Sequence, residues 1–399
     1  MKKKLPIITR GILVTALLLL AAALLNTTSV QSAYPNAINA GTLSVVIDLI
    51  TDNGGSLINT DFEFSIDNGS TWIPFELDGQ NDLPVDNDTY TIIGNDVTGY
   101  SISYLDCTDV VIADNTATCT ITFDDIAPQL TIVKDPTNDN GGNAAPDDFL
   151  LTVGGVAATS GVAKVLDANT PYAINETQLT GYTFVEITDD GSGKCPAALG
   201  GTVTLDEGDD ITCTIVNDDV APQLTLIKDP TNDSGGTAAP DDFLLTIGGE
   251  AATSGVAKVL AANTLYAINE TQLTGYTFVE ITDDGSGKCP AALGGTITLD
   301  EGDDITCTIV NDDVAPQLTL VKDPTNDSGG TAAPDDFQLT VGGSPVLSGV
   351  ATEYPVDTPL AINETQLPGY EFVSIIDDGS TKCPAVLGGT VTLALGDDI

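Results

Sequence analysis

The sequence contains no histidine, so histidine acid–base catalysis and histidine-ligated metal sites are excluded. Arginine and methionine are each represented once, by Arg10 and Met1, and tryptophan once, by Trp72. Positive charge is scarce: 12 basic residues face 58 acidic ones. Four of the 12 (Lys2, Lys3, Lys4 and Arg10) lie in the first ten residues, so the rest of the chain sets eight lysines against 58 acids, a formal charge of −50. With so little to neutralise phosphates, nucleic acid is not expected as a partner. Such acidity implies a solvated surface, suited to salty surroundings, and permits cation binding without demanding it. Long apolar runs are scarce too. The only one, from about Ile12 to Leu25, follows the basic residues and is followed by small polar ones up to Ala33. This is the pattern of a secretory signal over residues 1–33, cleaved after Ser32 or Ala33; the run is short for a spanning helix, the alternative reading.

What is present is repetition. The block Ala127-Pro128-Gln129-Leu130 returns at Ala221 and again at Ala315, a period of 94 residues. A fixed period marks tandem domains, predicted here at 127–220, 221–314 and 315–399, with a divergent copy at 34–126. Each copy is long enough to bury its own core. Short runs such as Leu130 to Lys134, Phe149 to Val153, Tyr172 to Glu176, Tyr182 to Ile187, Thr202 to Leu205 and Ile211 to Asn217 alternate apolar with polar residues. Glycine, proline and Asp/Asn clusters separate them, which predicts all-β, Ig-like sandwiches. The stretch Asp206-Glu207-Gly208-Asp209-Asp210 reads as a hairpin turn. Only Asp218-Asp219-Val220-Ala221-Pro222-Gln223 separates one copy's last strand from the next copy's first, which favours a semi-rigid joint.

The seven cysteines order themselves on this frame. Cys107 with Cys119, Cys195 with Cys213 and Cys289 with Cys307 give one pair per copy, and Cys383 stands alone. Six cysteines allow 15 connectivities, but one pair per copy in an oxidising exterior favours pairing within each copy. The expected partner of Cys383 falls two residues past Ile399, so the last copy reads as cut short.

Three polar residues recur as a set. Lys134, Glu176 and Asn217 become Lys228, Glu270 and Asn311 at the same spacings; the fourth copy keeps Lys322 and Glu364. Side chains alternate along a strand. Lys134 therefore shares a face with Leu130 and Ile132, Glu176 with Tyr172 and Ile174, and Asn217 with Ile211, Cys213 and Ile215. Each closes a row that should point into the core, where an unpaired charge is costly, so the three should meet. In the divergent copy, alignment puts Ile47, Gly94 and Phe123 at these positions: the set is lost together. Two chemistries fit, a buried ion pair with asparagine beside it, or condensation of lysine and asparagine into an amide with release of ammonia. For the second, desolvation would lower the lysine pKa and raise that of the glutamate, giving a neutral nucleophile and a protonated acid.

The lysine ending the first strand, Tyr172-x-x-x-Glu176 with Gly181-Tyr182 following, and the asparagine on the last strand resemble the collagen-adhesin B-type domain and the SpaA-like prealbumin-fold domains of bacterial surface proteins. The resemblance implies tandem prealbumin-like sandwiches with intramolecular isopeptide bonds. Lys134 would join Asn217 with Glu176 assisting, Lys228 would join Asn311 with Glu270 assisting, and Lys322 and Glu364 would await an asparagine six residues past the end. The cysteine pairs are not a general feature of that family.

Other signals are weaker. Lys194, Lys288 and Lys382 recur in Gly/Ser loops and read as solvated. The acidic stretches, Asp135 to Gly141 among them, lack EF-hand spacing; calcium at the joints is the alternative to hydrated turn carboxylates. The function expected is a secreted, non-enzymatic surface stalk or adhesin without cofactor, its extracellular ligand unidentified, with membrane contact only through the signal or an unseen C-terminal anchor. A calcium-stiffened spacer, or the stalk of a secreted enzyme with its catalytic domain elsewhere, are the alternatives.

Overall fold

The computed structural model describes residues 40–399; the predicted leader, residues 1–33, lies outside the described residues. The structure is all-β apart from single turns of 3-10 helix. Among the described residues no helix is long and apolar enough to cross a membrane. By contacts the chain forms two compact units. Among the described residues one comprises Ala40–Ile50, Leu57–Val97 and Ser101–Asp124; the other comprises Thr51–Ser56, Thr98–Tyr100 and Asp125–Ile399.

In the second copy the strands make two four-stranded layers. One layer orders Ala163–Val165, Gln129–Thr137, Asp210–Asp219 and Tyr182–Asp189; the other orders Val156–Ala158, Leu150–Val153, Pro171–Thr177 and Thr202–Thr204. The first strand, Gln129–Thr137, runs parallel to the last, Asp210–Asp219, with Lys134 opposite Ile215. Leu130, Ile132, Leu151, Ile174, Val203, Ile211 and Ile215 fill the space between the layers. Each such side chain fully buried contributes about 1.5–3 kcal/mol. The third copy repeats this arrangement, with Gln223–Thr231 parallel to Asp304–Asp313.

The predicted hairpin at Asp206–Asp210 is an arch instead. Thr202–Thr204 pairs with Pro171–Thr177 in one layer, whereas Asp210–Asp219 belongs to the other. The chain turns over at Gly208 (φ 76°) to cross between layers, and a turn's composition does not say which sheet its second arm will join.

In the fourth copy the layer of Ser344–Val346, Gln338–Val341, Leu360–Thr365 and Thr390–Val391 is complete. Its other layer holds only Gln317–Thr319 paired with Ala351–Glu353. Asp398 bridges Gln317 in parallel, as Asp210 pairs with Gln129, so the start of the strand equivalent to Asp210–Asp219 is in place. In the first copy, Gln80–Asp86, Ala40–Ile50, Thr116–Asp125 and Tyr100–Leu105 form the larger layer, again with first and last strands parallel.

The joint between the second and third copies is made by backbone groups and one side-chain amide. Ala262 N–H donates to Asn140 O (2.7 Å), Asn263 Nδ2 to Gly141 O (3.0 Å) and Gly302 N–H to Val220 O (2.8 Å). Gly141 sits at φ 92°, and a Cβ there would lie 2.6 Å from Ala262 O, so only glycine serves. The loop is held from behind by Asp219, which is buried and accepts from the N–H groups of Asn140 (3.0 Å) and Gly142 (2.6 Å). Asp219→Ala is expected to cost about 2–4 kcal/mol locally by stranding those donors. Faster hydrogen exchange at residues 140–142 would report it; unchanged exchange would contradict this account of the loop.

Candidate functional site

The recurring lysine, glutamate and asparagine come from three strands that the sandwich brings to one end of its core. Lys134 is 2% exposed, Asn217 is 0% exposed, and the Glu176 side chain has no exposure. In the second copy Asn217 Nδ2 donates to Glu176 Oε1 (2.5 Å), Lys134 Nζ lies 3.4 Å from Glu176 Oε2, and Nζ donates to Ile215 O (3.2 Å). Asn217 Oδ1 takes no hydrogen bond. In the third copy Lys228 Nζ donates to Asn311 Oδ1 (2.7 Å) and to Ile309 O (3.0 Å), while Asn311 Nδ2 donates to Glu270 Oε1 (2.5 Å). The amine thus faces the carbonyl side of the amide and the carboxyl faces its nitrogen.

Two further residue types complete the site. The ring of Phe149 lies under Lys134 Nζ at 4.2 Å, as Phe243 does under Lys228 and Phe337 under Lys322. Ser160 Oγ accepts the backbone N–H of Lys134 (2.9 Å), with Ser254 and Ser348 doing the same in the next copies. That bond holds the edge of the lysine strand where no neighbouring strand continues. Both types recur at the 94-residue period, the signal that could have found them.

Burial pushes the Lys134 and Lys228 ammonium groups below the ordinary lysine value of 10.5, against the opposing pull of Glu176 and Glu270. In the fourth copy Lys322 Nζ and Glu364 Oε2 lie 2.8 Å apart, and the side chains are 17% and 6% exposed.

The first copy accounts for the loss of the set. Ile47 pairs with Ile121 as Lys134 pairs with Ile215, and Gly94 pairs with Phe64 as Glu176 pairs with Leu151. Phe123 therefore stands where Asn217 does. Its ring packs on Phe62 (4.4 Å between centroids), and a Cβ on Gly94 would come within 2.7 Å of it. The aromatic ring fills the volume of the missing polar groups, and glycine makes room for the ring.

The remaining candidates lie apart. Cys107–Cys119, Cys195–Cys213 and Cys289–Cys307 are disulfides, and Cys383 is a free thiol whose pKa burial pushes up to about 11. Lys194, expected to be solvated, is instead three-quarters buried and bridges Asp206 (2.8 Å) and Asp209. Asp189 accepts N–H bonds from Cys195 (2.9 Å), Gly193 (2.8 Å) and Gly191 (2.7 Å), which hold its carboxyl well below the usual range. Carboxylates of Asp139, Asp218 and Asp219, and of Asp233, Asp312 and Asp313, approach within 4.8 Å of one another.

Residues 137–219 match one family profile of a prealbumin-like fold domain, and residues 219–309 and 313–399 match another of the same description. The chain belongs to the SpaA-like prealbumin-fold family. Among solved structures it is similar to the TIE protein of Bacillus anthracis (18% identity, 69% of this chain and 51% of that one, TM-score 0.42). It is also similar to the pilus adhesin SpaC of Lactobacillus rhamnosus GG (17%, 69% and 44%, TM-score 0.24). A third is a pair of B repeat units of the collagen binding protein of Staphylococcus aureus (14%, 88% and 98%, TM-score 0.19). The chain spans about half the length of the first two. No curated protein matches it.

A buried amine must shed its proton before it can attack a carbonyl. If Lys134 and Asn217 condense, chain held unfolded from synthesis and then folded by dilution is expected to lose ammonia faster as pH rises from about 5, up to about tenfold per pH unit until the amine is neutral. The lowered lysine value moves that plateau below 10.5. A rate flat across the range would contradict limitation by the amine.

Proposed function

We propose that the chain is a secreted cell-surface stalk whose prealbumin-like domains, bounded at 34–126, 127–220, 221–314 and 315–399, are locked from within by Lys–Asn isopeptide bonds and disulfides. The observation that carries this reading is the unexposed meeting of Lys134, Glu176 and Asn217, and of Lys228, Glu270 and Asn311, at the ends of first and last strands. Lys134 Nζ, neutral, attacks Cγ of Asn217; the new N–C bond forms as the C–Nδ2 bond breaks. Glu176 passes the proton shed by the amine to Nδ2, which leaves as ammonia. The step occurs once per domain and has no turnover, so the role is mechanical rather than enzymatic.

The energetic gain lies in closure. An amide between residues 83 apart, as between Lys228 and Asn311, restricts the unfolded chain by about 4–5 kcal/mol, against about 3 kcal/mol for a disulfide spanning 18. The amide also ties the two strands on which end-to-end tension acts. Extracellular display, surface anchoring and an unidentified surface ligand belong to this proposal; pilus and collagen-binding relatives support it by name only.

The test is the intact mass of residues 34–399, reduced and denatured. It is expected to fall short by two ammonias, for the second and third copies, and Glu176→Ala is expected to restore one of them. An undiminished mass in folded protein would reduce both sites to ion pairs.

A second reading is favoured by one observation: Asp218 Oδ1 and Asp312 Oδ1 are buried without a hydrogen-bond partner beside the acidic clusters. A divalent cation there would stiffen the joints. It predicts that a chelator lowers the melting temperature by several degrees, whereas the covalent reading alone predicts no change.

A further inference from the structure

The first copy differs from the next two in what joins its ends. Its terminal strands, Ala40–Ile50 and Thr116–Asp125, lie parallel and adjacent, in register from Thr42 opposite Thr116 to Ile50 opposite Asp124. Tension entering at the start of one and leaving at the end of the other acts along both strands. The cross-strand hydrogen bonds are then loaded together in shear, and resistance is high until all yield at once. The second and third copies share this geometry. In them, however, an amine and an amide sit beside the same strand pair, whereas Ile47, Gly94 and Phe123 offer neither amine, carboxyl nor amide. The first copy's one crosslink, Cys107–Cys119, closes a separation of only 12 residues and does not reach the first strand.

We infer that the first copy is the extensible element among the first three, a mechanical fuse that yields under tension while the second and third copies hold. The inference rests on the Lys–Asn crosslinks proposed above. In a crosslinked copy tension passes from Lys134 to Asn217 through the amide, and the chain between them carries none. In the first copy the span from Ala40 to Asp125 is free to extend except for the cystine loop. Roughly 74 residues are released, at roughly 3.4 Å each, which, less the folded span, gives about 20–25 nm.

The test is force spectroscopy on the full mature chain, held by bio-orthogonal handles at residues 38 and 315 so that the fourth copy lies outside the tensioned path. One unfolding step of about 20–25 nm is expected, lengthening by about 4 nm when reductant opens Cys107–Cys119. Glu176→Ala is expected to add a second step of similar size, from the second copy. Two results would overturn the inference: no step before the tether detaches, or steps from the second or third copy in material whose mass is short by two ammonias. Three similar steps in chain of undiminished mass would instead show that the crosslinks do not form, and the distinction between copies would fall with them.

Discussion

A lysine at the end of an apolar row is the constraint on which the rest of this structure depends. Parallel pairing of the first and last strands carries Lys134 and Lys228 to positions from which the core excludes water. An ammonium there costs several kcal/mol unless other groups replace its hydration. The copies meet this in different ways. The second and third surround the amine with a glutamate, an asparagine, a backbone carbonyl and the face of a phenylalanine. The first removes every polar member and fills the space with Phe123 over a glycine.

A buried ion pair adds little net stability, because desolvation offsets most of its attraction. Retaining three polar groups in two cores is therefore poorly explained by stability alone. The covalent closure proposed above would alter that comparison: the amide would remove both the buried charge and the leaving nitrogen, and it would restrict the unfolded chain besides. The same burial that makes the charged amine costly also favours its neutral form, the form the proposed chemistry requires. The family to which the chain belongs and the all-β architecture agree with a structural role of this kind.

Much of this was legible in the sequence because it rests on periodicity. The 94-residue repeat, the alternation that points Lys134, Glu176 and Asn217 inward, and their joint absence in the first copy are all one-dimensional signals. Strand registers now place Ile47, Gly94 and Phe123 at the corresponding positions. What escaped were features without a local pattern. The edge strands Val156–Ala158 and Ala163–Val165 are three residues each, too short for alternation to be read. The arch at Gly208 has the composition of a hairpin turn, while the sheet its second arm joins is decided by distant pairing. Lys194 reads as solvated in the sequence because its partners Asp206 and Asp209 lie on that same arch, and Phe149 is marked only by its return as Phe243 and Phe337 at the 94-residue period.

The central claim is a bond between two named side chains, and peptide mapping tests it most directly. The mature chain, reduced, denatured and digested after acidic residues, would be sequenced by fragmentation. The account predicts a branched peptide whose two arms join through Lys134 and Asn217, and a second joined through Lys228 and Asn311. Recovery of all four residues in separate linear peptides from well-folded protein would contradict it.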